Sequence, residues 1–410
     1  MNEASKISIG FLIILILSAC TDKEYNYYTV SPEVPGGTEE VTSSYTVADL
    51  MPSVKVVPEC FEQSVFTSYL YMIPLIGKSN LPQGMDTYLT KDCFELSLRA
   101  PYTGASFTIR QRENLLSEAA VVKGTFREEG GVYSVRPDIA WKYEALRQWG
   151  KTRMLSVVWD VWIDDQYAGN YSMPFSFRSI SECVLGVETG EDSYCSLYPF
   201  FAGYVEEESV LCDRLLVEAL KQGLVPSFVG YQAGNEAAVE QACAIWYLML
   251  QKGIKYSNST IIPGIDYAQN VRFIEQSYTS GMANCVEGSV LLASIYMRFD
   301  LDCDLVLIPG HMFLLVRDDE GKILFPLETT MMGNVDLSAY ATEEERRKAS
   351  TDCFVKAVNE GRSELEKAMP HIEAGEAGYR LLNIREMRDF LPSINAGTGV
   401  QTRSRGGMKK

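Results

Sequence analysis

The chain has 410 residues, of which 46% are hydrophobic and 22% are charged. This composition is typical of folded domains, and the length exceeds what one hydrophobic core usually supports, so we expect two or more domains. The net charge of -17 argues against a nucleic-acid partner, because binding to phosphates requires a basic surface.

The N-terminus has the pattern of an export signal. Lys6 precedes an apolar run over residues 7–17, which is too short to span a membrane and fits a signal peptide. The sequence Leu-Ser-Ala-Cys that ends at Cys20 resembles the lipobox of bacterial lipoproteins. That resemblance implies a signal peptide over residues 1–19 and lipidation of Cys20. A plain secretory signal followed by a chance cysteine is the alternative.

The resemblance also implies a location. We expect a lipid-anchored protein in the cell envelope of a Gram-negative bacterium, on the outer membrane, facing the periplasm or the cell surface. The lipid on Cys20 is then the attachment to the membrane. Residues 20–44 contain Pro and Gly without helical or strand periodicity, which predicts a tether.

Residues 45–185 carry strand signals. Phe94, Leu96 and Leu98 alternate with polar residues, and a hairpin is predicted to run over residues 154–177. Short strands with Gly and Pro between them predict an all-β N-terminal domain, an antiparallel Ig-like β-sandwich. Three tryptophans could form a glycan-binding face, although most aromatic side chains of a sandwich belong to its core. They are Trp141, Trp149 and Trp159.

The pattern changes after a segment rich in Gly, Glu, Asp and Ser, and residues 186–200 are interpreted as a linker. One helix is predicted over residues 206–222, with three glutamates in its first turn. A second is predicted to start at Asn235 and to end before Gly253. The tail over residues 396–410 is predicted to be disordered.

The cysteines and histidines limit the chemistry. Of the ten cysteines, one reactive thiol and Cys20 leave eight that could pair in an oxidising envelope. His311 and His371 are the only histidines, and no Cys-x-x-Cys motif occurs. We therefore expect no metal site and no cofactor.

A cysteine opens one predicted helix. Asn284 can cap this helix, and apolar residues recur at helical spacing from Val290 to Ile295. Cys285 then lies in the first turn, where unpaired backbone N–H groups stabilise a thiolate and could receive an oxyanion. Glu287 is interpreted as a solvated side chain or a partner of the helix dipole.

A histidine and a glutamate follow on two neighbouring predicted strands. His311 opens one strand and Glu328 closes the next, with a turn between them. If the loop is residues 319–320, these two side chains lie directly opposite, with Cβ atoms about 5 Å apart. A bulge at Gly321 would instead place Thr329 opposite the histidine. In either register a carboxylate lies near the imidazole.

This order of residues resembles the transglutaminase-like superfamily of papain-like cysteine enzymes. The segments ANCVEGSVLLASI, LVLIPGHMFLLV and PLETT are similar to a branch found in envelope lipoproteins. The resemblance implies an α+β transglutaminase-like domain over residues 201–395. It also implies that Cys285 is the nucleophile, His311 the general base and Glu328 the orienting acid.

Other residues have weaker assignments. The resemblance makes Gln269 a candidate oxyanion donor, although Gln276 is equally near in sequence. Many relatives have Asp where Glu328 stands, and Phe313 replaces their usual tryptophan. His371 lies outside the motif and is interpreted as structural, and Cys303 is a candidate for a regulatory disulfide with the nucleophile.

The expected function is that of a cysteine peptidase, amidase or transglutaminase-like acyltransferase. It would act on amide bonds of protein, peptide or cell-wall substrates through a thioester intermediate. The β-domain would be a spacer or a docking module. The alternative is a binding or scaffold lipoprotein that keeps the fold with little turnover.

Overall fold

The computed structural model describes residues 45–76, 89–190, 193–257 and 267–395. The signal peptide, Cys20, the tether and the tail predicted above lie outside these residues. The chain divides into two compact units between Tyr198 and Pro199. Both helices and sheets occur, so the protein is a multidomain α+β chain. Among the described residues, no helix has the length and apolar character needed to span a membrane.

The N-terminal unit contains two main sheets. Its strands are β1 (Ser53–Val56), β2 (Ser64–Phe66), β3 (Phe94–Arg99), β4 (Ser106–Gln111), β5 (Ala120–Thr125), β6 (Val132–Val135), β7 (Arg153–Ile163), β8 (Gln166–Arg178), β9 (Glu182–Val184), β10 (Gly186–Gly190) and β11 (Ser193–Ser196). One sheet has the order β2-β8-β7-β4-β5 and is antiparallel except for the parallel pair β2 and β8. The other is antiparallel, with the order β1-β3-β6.

The predicted hairpin over residues 154–177 is confirmed as β7 and β8. Asp164 and Asp165 form its two-residue turn with φ of 47° and 62°. Two positive φ values give the turn the twist that a hairpin prefers, and aspartate tolerates that conformation better than most residues.

Aromatic side chains fill the space between the two sheets. The ring of Phe94 on β3 lies 5.5 Å from that of Trp159 on β7 and 4.8 Å from that of Phe175 on β8. Trp141 and Trp149 are also buried. The tryptophans are therefore core residues, which is what the sequence favours, and the alternative of a glycan-binding face is excluded for them.

Two features of the N-terminal unit differ from the sequence interpretation. The unit is not all-β, because it contains helices α1 (Val47–Leu50), α2 (Thr67–Ile76) and α3 (Tyr143–Arg147). Seven of the ten residues of α2 are buried, and a helix that is apolar on most sides shows little periodicity in sequence. The segment interpreted as a linker contains a hairpin, β10 and β11. Val187 of this hairpin is fully buried.

The C-terminal unit is built on one antiparallel sheet with the order β17-β16-β15-β18. Its strands are β12 (Lys255–Tyr256), β13 (Ala268–Asn270), β14 (Met282–Ala283), β15 (Asp302–Ile308), β16 (His311–Arg317), β17 (Ile323–Leu327) and β18 (Arg380–Asn383). Its helices are α4 (Val210–Lys221), α5 (Asn235–Lys252), α6 (Ile274–Ser280), α7 (Cys285–Arg298), α8 (Glu343–Glu373) and α9 (Ile384–Met387).

Two helices of this unit position the candidate site. Helix α7 packs against β15 and β16, and α8 packs against β17 and α5. Every residue of α7 from Cys285 to Tyr296 is buried, which makes it a central helix. Leu365 of α8 packs in one cluster with Val306, Phe313 and Leu315 of the sheet.

The predicted ends of α4 and α5 are partly right. Helix α5 ends as predicted at Gly253, whose left-handed φ of 72° suits glycine. Its N-cap is Gly234, so Asn235 is the first helical residue. Helix α4 begins at Val210 rather than at residue 206, because the Ser209 side chain accepts from the Leu211 N–H and caps the helix.

Candidate active site

Cys285 is the first residue of α7, and a complete capping box fixes this position. The side chain of Asn284 accepts from the Glu287 N–H at 2.9 Å. The Glu287 carboxylate accepts in turn from the Asn284 N–H at 3.0 Å. The two reciprocal bonds satisfy donors that a helix start leaves unpaired and hold the cysteine in the first turn. Cys285 is 8% exposed.

His311 joins the cysteine to a carboxylate. Its Nε2 lies 2.7 Å from Oε2 of Glu328, which leaves Nδ1 as the ring nitrogen for the thiol. Hydrogen bonding to Cys285 and then to Glu328 raises the pKa of His311 to about 10, against the opposing effect of burial. The imidazole therefore carries a proton at neutral pH and lies between a sulfur and a carboxylate.

Glu328 is held in a charged state although it is 5% exposed. Burial alone would raise its pKa, but hydrogen bonds from His311 and Thr330 outweigh burial, and the pKa is lowered. Thr330 contributes its hydroxyl at 2.6 Å and its backbone N–H at 3.0 Å, both to Oε1. Oε1 thus accepts from Thr330, and Oε2 accepts from the imidazole.

The strand register that brings His311 and Glu328 together differs from both registers considered from the sequence, the two-residue loop and the bulge at Gly321. Leu314 pairs with Leu327, so the register is shifted by two residues and Glu328 is not directly opposite His311. The loop is longer than predicted, with the Gly321 N–H donating to the Asp318 carbonyl. A shift of two residues keeps every side chain on the same face, so the pair still meets diagonally.

A buried ion pair supports the start of α7. The Glu287 side chain is fully buried and binds the Arg272 guanidinium at 2.7 and 2.8 Å. The interpretation of Glu287 as a solvated side chain is therefore wrong. The spacing of Asn284 and Glu287 is that of a capping box, and this signal was present in the sequence. Nothing in the sequence indicates that Arg272 is the cation.

Hydroxyl groups connect the first turn of α7 to the segment that follows Glu328. The Ser289 hydroxyl donates to the Cys285 carbonyl at 2.8 Å and lies 3.1 Å from the Thr329 hydroxyl. Gly288 permits this close approach, because a Cβ at this position would lie 3.1 Å from the Thr329 hydroxyl oxygen and from the terminal methyl of Met332. The first turn of α7 is therefore connected to the residue after Glu328 by contacts that do not involve the histidine.

A groove of about 410 Å³ opens beside the imidazole. It is lined by His311, Glu328, Thr330, Met331, Asn334, Glu360 and Glu364. The last two residues come from α8 and give the groove an acidic wall. Glu364 is paired with Lys367 at 2.6 Å.

The remaining sequence candidates are not bonded to this group in the described part of the chain. Gln269 is on β13, is half-buried, and makes no hydrogen bond to the three residues within the described part of the chain, so its role as an oxyanion donor stays a prediction. His371 is near the end of α8, where it binds Glu376 and stacks on Tyr379. Among the residues that the structure covers, no group of His, Cys, Asp and Glu could hold a metal ion.

The cysteines do not pair in the described residues. All nine are free, and seven of them are buried. Cys303 pairs with Val316 on β16, while His311 pairs with Ile308. The five steps along the strand from residue 303 to residue 308 span about 16 Å, whereas Cys285 contacts His311 at the far end, and a disulfide needs Cα atoms within about 7 Å. The predicted regulatory disulfide between Cys303 and Cys285 is therefore out of reach.

Comparisons with known proteins give no further guide to this site. No protein-family model, no curated protein and no solved structure matches the chain.

Proposed function

We propose that the C-terminal unit is a transglutaminase-like domain and that the protein is a cysteine peptidase, amidase or acyltransferase acting on amide bonds of protein, peptide or cell-wall substrates. The single observation that carries this proposal is the contact of His311 with both Cys285 and Glu328. A thiol, an imidazole and an oriented carboxylate in this order are the groups needed for nucleophilic acyl transfer.

The proposed first half-reaction forms a thioester. With the thiol proton already on Nδ1 of His311, the Cys285 sulfur attacks the carbonyl carbon of the amide. The oxyanion that forms is received by the backbone N–H groups of Cys285 and Val286, which donate to no other group in the described residues. When the intermediate collapses, the C–N bond breaks, the amine leaves with the proton from His311, and the acyl group stays on the sulfur.

The second half-reaction releases the acyl group. Water or an amine attacks the thioester carbonyl while the now neutral His311 takes its proton. The C–S bond then breaks, which restores the sulfur beside a protonated His311. A raised His311 pKa suits the first half-reaction, because the imidazolium is then fully available as the acid for the leaving amine. Glu328 stabilises that imidazolium and keeps its ring oriented.

A thiol-reactive activity probe tests the proposal. We expect rapid labelling of Cys285 in the folded protein and a drop of about 10²-fold or more in His311→Ala. Cys243→Ser is the matched control, since Cys243 is a partly exposed thiol outside the site, and its loss should leave the fast labelling unchanged. Labelling at the rate of an ordinary thiol that is indifferent to His311→Ala would favour the binding or scaffold alternative.

A second experiment determines whether water or an amine accepts the acyl group. A peptide-substrate screen with and without an added primary amine separates the two outcomes. Release of free acid in both conditions indicates a hydrolase, and a mass increase equal to the amine indicates an acyltransferase.

We further propose that the N-terminal unit is a mostly antiparallel Ig-like β-sandwich, which serves as a spacer or docking module. We also propose that lipid on Cys20 attaches the protein to the cell envelope. The packing of Phe94 from one sheet on Trp159 and Phe175 from the other supports a sandwich. Metabolic labelling with a fatty-acid analogue tests the attachment, and label that persists in Cys20→Ser would refute it.

A further inference from the structure

One side of α8 contacts the backbone at the end of β17. Ala357, Gly361 and Leu365 lie on this side at helical spacing, and all three are buried. β17 is an edge strand of the sheet, and it ends just before the acid Glu328. The helix therefore covers the edge from which the acid of the site projects.

A backbone hydrogen bond connects this side of α8 to Glu328. The Glu328 N–H donates to the Ala357 carbonyl at 3.0 Å. That carbonyl is in the interior of a helix, where it also faces the N–H of residue 361, and its two lone pairs allow it to accept both. The main chain of the acid is thus anchored to α8, while its carboxylate is held by Thr330 and His311.

Gly361 permits the anchor because it has no side chain. A Cβ at this position would lie 2.9 Å from the Leu327 N, 3.0 Å from the Pro326 carbonyl carbon and 3.2 Å from the Glu328 N. All three are backbone atoms, which cannot rotate away as the end of a side chain can. A glycine in a helix interior lowers stability relative to alanine, so its presence here calls for a reason, and the close approach supplies one.

We propose that Gly361 is a positioning residue for the triad acid: it sets the distance between α8 and β17 and so holds the Glu328 carboxylate against Nε2 of His311. The effect on turnover rests on the proposed function, whereas the effect on the histidine rests on the geometry alone. Gly361 acts through Glu328 and does not itself touch the reacting atoms.

The displacement expected from an added methyl group is large enough to matter. Ordinary contacts to a Cβ begin at 3.4 Å, so the contact at 2.9 Å requires a movement of about 0.5 Å or more. The bond from Glu328 to His311 is 2.7 Å long, and such bonds weaken steeply with distance and angle. A carboxylate moved by this amount stabilises the imidazolium less, and the His311 pKa falls.

Gly361→Ala tests the proposal by NMR titration of the histidines. The protein has two, so the His311 imidazole signals can be assigned with a single His371→Gln variant. We expect folded Gly361→Ala to lower the His311 pKa by about 1–3 pH units and to slow probe labelling of Cys285 by about tenfold. Asn359→Ala, on the exposed side of the same helix, also raises helix propensity and should change neither quantity.

A merely structural role would give a different result. If folded Gly361→Ala keeps the His311 pKa of the native protein, the proposal is wrong, whatever happens to the melting temperature. If Gly361→Ala does not fold, hydrogen exchange on the native protein tests the proposal. The Glu328 amide should be strongly protected by its hydrogen bond to Ala357. Exchange as fast as in an exposed turn would contradict the proposal. The His311 pKa and the exchange of the Glu328 amide can both be measured without turnover. A native protein that does not react with the probe would therefore refute the proposed function, and these two measurements would still test this inference.

Discussion

The carboxylate of Glu287 accepts two hydrogen bonds from the Arg272 guanidinium, in the first turn of the helix that begins with Cys285. The same carboxylate completes the capping box with Asn284. The pair therefore fixes where α7 starts. The Glu287 side chain is 0% exposed and the Arg272 side chain is 15% exposed. Because water reaches them so little, each charge is neutralised mainly by the other.

Arg272→Met should destabilise the fold strongly. Removing the cation leaves a buried carboxylate uncompensated, and such changes cost about 3–5 kcal/mol. Chemical denaturation measures the loss. The control is Arg214→Met, which breaks an exposed pair with Glu275 at 3.2 Å and should cost about 0–1 kcal/mol. Equal losses in the two variants would contradict the structural role of the buried pair.

Glu328→Gln should reduce turnover far more than binding. The amide cannot balance the imidazolium charge, so we expect kcat to fall about 10²–10⁴-fold with little change in KM and with a folded protein. Glu328→Asp keeps the negative charge on a shorter side chain, so its rate should lie between those of the native protein and Glu328→Gln. The measurement is the rate of probe labelling or substrate cleavage. Glu320→Gln, a similar change in the exposed turn between β16 and β17, is the control, and an equal effect there would refute the assignment.

The stability contributed by His311 should depend on pH in a defined direction. The folded-state pKa of about 10 lies above the ordinary histidine value of 6.5, so the folded protein binds this proton more tightly than the unfolded chain. The contribution is therefore fully present below pH 6.5 and is lost as the pH rises towards 10. The difference in melting temperature between the native protein and His311→Gln should shrink over this interval. A difference that grows with pH would have the wrong sign.

The acidic wall of the groove should favour cationic substrates. Glu360 and Glu364 line the groove with His311, and exposed charge pairs are worth about 0.2–1 kcal/mol each. Replacing both by Gln should raise KM about 2–10-fold for a lysine-containing peptide and hardly change it for the acetyl-lysine analogue. Added salt should reduce the preference in the native protein. Glu344→Gln with Glu366→Gln, elsewhere on α8, is the control, and a matching KM change there would point to net charge instead.

The parts of the site that depend on local pattern were predictable from the sequence. Cys285 at a helix start follows from a capping residue and helical spacing, and the strands that carry His311 and Glu328 follow from apolar runs around a turn signal. Neither of the two registers considered for these strands is the observed one, because the loop closes through Asp318 and Gly321 rather than through two residues. The two side chains still meet, because a shift of two residues leaves each of them on the same face of the sheet.

The parts that depend on contacts distant in sequence were not predictable. Helix α8 was not predicted, although its buried residues recur at helical spacing from Ser350 to Ala368. Its many charged residues obscure that stripe. Nothing local to Gly361 indicates that it faces Glu328, and nothing near Arg272 identifies Glu287 as its partner. These contacts require the assembled fold.

The covered edge of the sheet limits how a polypeptide can reach the site. Many enzymes bind an extended peptide by adding it as a further strand to an open sheet edge. Here α8 packs along β17, Pro326 offers no N–H, and the Glu328 N–H is already bonded to Ala357. A peptide substrate of this protein cannot continue the sheet beyond β17, so its recognition must come from side chains along the groove rather than from main-chain pairing at that edge.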